Sequence, residues 1–199
     1  MATRNQLNPP PLRKITDFKS KLSGGGARSN LFECELAFPP AVNVEGLNDI
    51  LNKARFLVKA ANLPASNVAP IEVPFRGRVL KIAGDRTFDT WTITIINDTD
   101  FVIRSAMEKW MNVINKLDDA TGLTDPDAYH KDAFVHQLDR DGSILRSYKF
   151  WDIFPTNIST IDLSYETTDT IEEFTVEMQV HWWEAFKGTS PSAGGENIR

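Results

Sequence analysis

Few residues in this chain of 199 are of types and spacings that do chemistry. His130, His136 and His181 have no flanking cysteines and no metal-ligand spacing. Cys34 is the single cysteine. It has no internal disulfide partner, and its place in LFECEL suits a small sheet or core residue. Asp139-Arg140-Asp141-Gly142 looks like a fragment of a calcium loop. It lacks the downstream Gly and Glu, and its strand-like flanks fit a hairpin turn better. Asp118, Asp119, Asp125 and Asp127 make an acidic loop, either simply solvated or a weak cation site. Glu172 and Glu173 are adjacent in a strand pattern and face opposite ways. No G-x-S-x-G elbow exists, and nothing assembles a nucleophile, a base and an oxyanion hole. The pattern speaks against an enzyme, a resident metal and a cofactor. One stretch stands apart, AGDRTFDTWTITIIND at 83–98. Its first half reads as a polar, charged loop with Asp85, Arg86, Phe88 and Asp89, and its second half as a strand. Asp85 and Arg86 suit a subunit contact, or a local turn closed by their own ion pair.

The elements that would position these residues are mostly strands. LFECELAF alternates, and a long connection follows with a short helix from Asn48 to Ala54. ARFLVKAANLP reads as a strand ending at Pro64. IEVPFRGRVLKIAG reads as one strand that Pro74 and Gly77 demote to an edge or a bulge. WTITIIND is the next strand. Residues 101–117 carry helical periodicity, with Phe101, Ser105, Met107, Trp110, Met111 and Ile114 near one stripe. AFVHQLD and SILRSYKFW form a hairpin through Arg140-Asp141-Gly142. TIDLSYE and IEEFTVEMQVHWWE are the last two strands. In the second of these, Phe174, Val176, Met178, Val180 and Trp182 alternate with Glu173, Thr175, Glu177, Gln179 and His181, giving one dry and one polar face. Ile161, Leu163 and Tyr165 alternate with Asp162, Ser164 and Glu166 in the same way. The whole predicts a mainly β chain: an antiparallel β-sandwich or barrel-like fold with one packed helix.

Length and composition suit a single domain with a full core. No run approaches ~20 apolar residues, so no membrane insertion is expected. The N-terminus has no apolar core of the kind a signal peptide needs, and a lone cysteine fits synthesis in a reducing cytoplasm. The net charge of −5 is unevenly spread. Residues 1–29 hold six Lys/Arg against Asp17 alone, and the remaining 170 hold 16 bases and 26 acids. This divides the chain into an N-terminal arm (1–29), a β domain (30–186) and a tail of disordered composition (187–199). In the arm, NPPP favours an extended conformation. ITDFKSKL suits one or two helical turns capped by Thr16 or Asp17. GGG is a hinge. A basic arm on an acidic body binds nucleic acid or docks on a neighbouring copy. The acidity of the body favours the neighbour.

Residues 63–98 and 154–184 resemble the tail tube proteins of contractile-tailed, myovirus-type bacteriophages. The pieces that carry the likeness are Leu63-Pro64 before an extended strand and Ala83-Gly84-Asp85-Arg86-Thr87-Phe88-Asp89 followed by Trp91. Asn97-Asp98 then closes the strand. Pro155-Thr156-Asn157, Phe174 with Val176, and Trp183-Glu184 complete the set. The likeness spans about residues 28–184. It departs in a longer 38–54 connection and longer termini.

The resemblance implies a structural virion protein. Hexameric rings would stack into the inner tube of a contractile tail, with no free sheet edge inside a ring. Its partners would be further copies of itself, the tail sheath protein, the baseplate and tail terminator proteins and the tape measure protein, with DNA only in transit. Its location would be the virion tail, after assembly in the host cytoplasm. The fold is related to the haemolysin-coregulated tube protein of type VI secretion, so a tube protein of such a device is the alternative. A monomeric carbohydrate- or nucleic-acid-binding β-sandwich, suggested by the five tryptophans, is a third reading. On the leading view, Asp85, Arg86, Phe88, Asp89, Arg13 and Lys14 are subunit-interface candidates. Glu173, Thr175, Glu177 and Gln179 are lumen candidates, because acids there repel phosphate.

Overall fold

The computed structural model describes residues 13–198, so the expectation for NPPP lies outside the described residues, as does the start of the basic arm. Strands β1 (Phe32–Glu35), β6 (Lys131–Leu138), β7 (Ile144–Ile158) and β9 (Trp182–Lys187) form one antiparallel sheet in the order β1-β6-β7-β9. The second sheet runs β7-β8-β5-β2, with β8 (Glu173–Gln179), β5 (Trp91–Ile96) and β2 (Val58–Ala61). The two share β7. Asp152 sits in that strand at φ +53°, opposite a register shift in β6, and from Phe154 onward the strand pairs with β8 instead. A bulged corner of this kind lets one strand serve two packed sheets. The expected antiparallel sandwich is what forms.

The core lies between these sheets and is closed by helices α2 (Leu47–Leu57) and α3 (Val102–Ile114). Period-two burial drives the sheets: in β8, Phe174, Val176 and Met178 are buried while Glu173, Thr175, Glu177 and Gln179 are half-exposed. Trp91, Ile93 and Ile95 do the same on β5, and Trp91 meets Phe150 with ring centroids 4.8 Å apart. α3 buries Ile103, Ala106, Met107 and Trp110, the i, i+3, i+4, i+7 set of one helical face. Trp110 Nε1–H donates to the Tyr129 carbonyl at 2.8 Å, so its one polar group is satisfied. That carbonyl ends α4 (Pro126–Tyr129).

Several elements differ from the sequence expectation. α2 runs on to Leu57 and consumes the start of the strand expected from Ala54. Ile50 and Ala54 are its buried face, whereas Phe56, which made the run look strand-like, is 86% exposed. IEVPFRGRVLKIAG is two strands, β3 (Ser66–Phe75) and β4 (Arg78–Phe88), paired as a long hairpin. The polar loop expected at 83–88 is the end of that return strand. TIDLSYE is no strand. β7 and β8 pair directly, so residues 159–172 are simply their connection, and Leu163 and Tyr165 stand in solvent. The last strand breaks at Val180-His181, where the chain crosses from the second sheet to the first. Trp182 is therefore not on the dry face; it stacks on Trp151, centroids 5.1 Å apart and planes within 5°. The arm's short helix α1 (Ile15–Lys21) is capped at Lys14. Asp17 is its third residue, and its carboxylate accepts the Lys14 N–H at 3.1 Å. The C-terminal residues fold back: Ser190 N–H donates to the Ile144 carbonyl, and Ala185 and Ile198 form an antiparallel bridge.

Candidate assembly surfaces

The residues with chemical potential are scattered and locally satisfied. His136 Nδ1 lies 2.7 Å from Ser147 Oγ, and His130 stacks on Phe154. Cys34 is buried, and burial, with Glu33 adding repulsion, pushes its thiol up to about 12, out of the reactive range. Asp119 accepts from the Thr121 hydroxyl and N–H, and Asp125 accepts the Asp127 N–H at the start of α4. Asp141 accepts both donors of Ser143 in the β6–β7 turn. Among the described residues no cluster of His, Cys, Asp or Glu could hold a metal, and no helix is long and apolar enough to cross a membrane.

The β3–β4 hairpin is the dominant surface feature. Its turn, Phe75-Arg76-Gly77-Arg78, puts Arg76 at φ +46° and Gly77 at φ +79°, the pair of left-handed residues a two-residue hairpin loop needs. Cross-strand partners share a face, so Ile71–Ile82 and Val73–Leu80 line up with Phe75 into one apolar side. All five are exposed, Phe75 at 67%. The other side carries the Glu72–Lys81 ion pair at 3.4 Å. Among the described residues nothing covers either side.

Four interface candidates sit at the root of this hairpin. Asp85 and Arg86 are neighbours on a strand and point to opposite faces, so they do not close on each other. Among the described residues neither has an ion-pair partner. Arg86 opens onto a cavity of about 520 Å³ shared with His130, Asp152, His181 and Trp182. Asp89 is held by Asn67, whose amide donates at 2.8 Å. Phe88 packs edge-on against Trp183 at 6.2 Å, which anchors the hairpin to the body. Arg13 and Lys14 lie far along the chain, at the start of α1, and are exposed.

The lumen candidates share the outer face of the second sheet. Thr92 lies opposite Glu177 and Thr94 opposite Thr175, so small polar side chains separate the acids. Glu173 accepts an ion pair from Lys59 at 2.5 Å, while Glu177 has no ion-pair partner among the described residues. A further cluster that sequence reasoning missed is Lys53 between Asp98 and Asp100. It ties α2 to the turn before α3. The partners are remote in sequence, so no local spacing announces it. Lys53 is raised by Asp100 and then Asp98; both carboxyls are held low, first by Lys53 and then by the N–H of Thr99 or Val102.

Comparison with known proteins follows the same outline. The model of a family described as phage tail tube protein matches residues 27–185. The tail tube protein of Enterobacteria phage T4 is 32% identical over 163 residues, covering 81% of this chain and 93% of that protein. That of Serratia phage KSP90 is 26% identical over 168 residues, 83% of this chain and 93% of the other. Among solved structures, the tube-terminating cap of the anti-feeding prophage superposes with a TM-score of 0.59 at 16% identity, covering 81% of this chain and 91% of that one. The sheath-tube complex of an extracellular contractile injection system (PVC) gives 0.54 at 11%, covering 88% and 99%. These last two are likenesses of fold.

Proposed function

The chain belongs to the phage tail tube protein family, and from that premise we propose that its copies form hexameric rings that stack into the hollow inner tube of a contractile tail. The role is structural and not catalytic. The uncovered apolar side of the β3–β4 hairpin carries this reading. A lone soluble domain rarely leaves a contiguous apolar ribbon in water, and such a face marks a protein contact. Ile71, Val73, Phe75, Leu80 and Ile82 are that contact, with Asp85 and Arg86 adding charged bonds at its root. The polar face bearing Glu173, Thr175, Glu177 and Gln179 lines the channel, where carboxylates repel phosphate and let DNA pass without sticking. Sheath, baseplate, terminator and tape measure proteins are the further partners, met after assembly in the host cytoplasm. The phage context is favoured over an injection device because sequence identity reaches 32% with a phage tube protein, against 16% or less with the injection-system structures above.

Electron microscopy of the purified protein at rising concentration tests this. Rings and tubes are expected from the wild type. Phe75→Asp should leave a folded monomer, with circular dichroism and melting temperature unchanged, that no longer polymerises. A strictly monomeric wild type, or normal tubes from Phe75→Asp, would sink it.

A further inference from the structure

α1 has an apolar side that nothing among the described residues covers. Ile15, Phe18 and Leu22 recur at i, i+3 and i+7 and so make one stripe. All three are exposed, Phe18 at 63%. At about 100° per residue, Lys14 and Lys21 flank the stripe on one side and Lys19 on the other. The helix joins the β domain through Gly24, Gly25 and Gly26, at φ +62°, +77° and +85°. A side chain at any of these would be strained, and the family match begins only at residue 27.

A groove of about 370 Å³ lies between the last turn of α3 and the end of β7. Met111, Ile114, Leu117, Pro155 and Ile158 supply its apolar lining, with Leu117 95% exposed. Glu108 lines it too, and acids adjoin the lining along the chain: Asp118 and Asp119 follow Leu117, and the loop leaving Ile158 carries Asp162, Glu166, Asp169 and Glu172 with no Lys or Arg. Arg104 is bound to Glu108 at 2.9 Å, and Lys116 precedes Leu117 in the chain.

We propose that α1 of one copy lies in this groove of the next copy, stripe inward, with Lys14, Lys19 and Lys21 against these acids. The inference rests on the tube reading and gives it a specific stacking contact. A short basic amphipathic helix entering an apolar groove that acids adjoin is a known mode of recognition. The occupant is a second copy because the two surfaces match in charge and sit at opposite ends of β7. Gly24 and Gly26 lie beside Leu145 and Arg146 at its start, whereas Pro155 and Ile158 are at its finish. Donor and acceptor surfaces at opposite ends give a head-to-tail contact, which propagates instead of closing into a dimer. An anionic membrane would also attract the helix, but it offers nothing to the groove.

The test is a crosslink between populations. Phe18→Cys protein is mixed with Leu117→Cys protein, assembled and oxidised; buried Cys34 stays out of the exchange. A disulfide-linked pair is expected. Its yield should fall about tenfold or more when Lys14→Glu and Lys21→Glu reverse two charges of the Phe18→Cys chain. Asp118→Lys and Asp119→Lys on the partner should restore it. Wild-type tubes with no crosslink overturn the docking alone. So does a link that forms only within one chain carrying both cysteines, at dilutions where nothing assembles. Binding to phosphatidylserine vesicles, with tubes indifferent to Phe18→Ser, overturns it too. Failure of the wild type to assemble overturns the tube reading and the docking together.

Discussion

Gly84 occupies the place in β4 where two residues, Gly84 and Asp85, face one residue of β3, Ala69. A Cβ at Gly84 would lie 2.6 Å from the Ala69 carbonyl oxygen and 3.1 Å from Ile71 Cγ1. The bulge therefore needs the missing side chain, for close approach of two backbones and not for a turn. Gly84→Ala should cost about 1–3 kcal/mol locally, as overpacking does. Because the hairpin lies outside the core, the penalty should appear as faster hydrogen exchange in β3 and β4 and poorer tube yield. The global melting temperature should hardly move, and wild-type exchange rates in the variant would refute the assignment. Arg86→Ala should behave similarly, removing a charged contact of about 1–3 kcal/mol from assembly while leaving the monomer's melt intact. The Lys53 cluster responds to pH. Asp98 and Asp100 have depressed folded values, so their stabilisation is complete above the ordinary carboxylate range near ~4 and is lost as pH falls through the lower folded values. Lys53 is raised, so its share persists through neutral pH and fades only in strong alkali. The melting-temperature gap between wild type and Lys53→Ala should be present at neutral pH and close in acid. A gap that stays constant into acid would show that Lys53 acts by packing alone.

Trp110 shows how an element is fixed by one side chain. It is fully buried on α3, T-stacked on Phe38 at 5.5 Å, and donates to the Tyr129 carbonyl. Trp110→Ala should cost about 3–5 kcal/mol, read as a drop in melting temperature and a lower denaturant midpoint. A shift near zero would mean the helix is held by its neighbours alone. The helix itself was legible from its 3.6 period, but of the stripe expected on it only Met107 and Trp110 are buried, with Ile103 and Ala106 completing the face and Phe101 exposed at the N-cap; β8 was legible because its period of two is unbroken. The hairpin was not. Its turn is Arg76-Gly77, and arginine gives no signal for a left-handed position as asparagine or aspartate would. Pro74 and Gly77 argued against a regular strand. Pro70 and Pro74 are an even number of residues apart in β3, so their missing donors fall on one edge, and among the described residues β3 pairs only with β4. That leaves a free edge able to accept prolines, and prolines there also blunt edge-to-edge aggregation. The start of β2 was misjudged because Phe56-Leu57-Val58 is apolar in either state, and Ile50 and Ala54 inside the fold decide for helix up to Leu57. The break at Val180-His181 follows from a change of sheet, which no local pattern encodes.

At the scale of the whole molecule, the proposed tube asks the charge distribution to serve cohesion and transport at once. The acidic body repels its own copies, yet a conduit for DNA gains from an acidic wall. The polar face of the second sheet is where this matters. Glu173 is partly neutralised by Lys59, which leaves Glu177, between Thr92 on β5 and Asn157 on β7, as the freer charge. Glu177→Lys places a cation at the same half-exposed position without touching the buried Phe174, Val176 and Met178 of the other face. The monomer should fold and the tubes should look normal. Every subunit of a stacked tube repeats the substitution, so the wall should change from repelling phosphate to binding it, and the logarithm of the DNA affinity should fall linearly with the logarithm of salt concentration. Wild-type tubes should retain none under the same conditions. If Glu177→Lys tubes form normally and still ignore DNA, this face does not line the channel, and the wall must be sought on the opposite sheet, β1-β6-β7-β9.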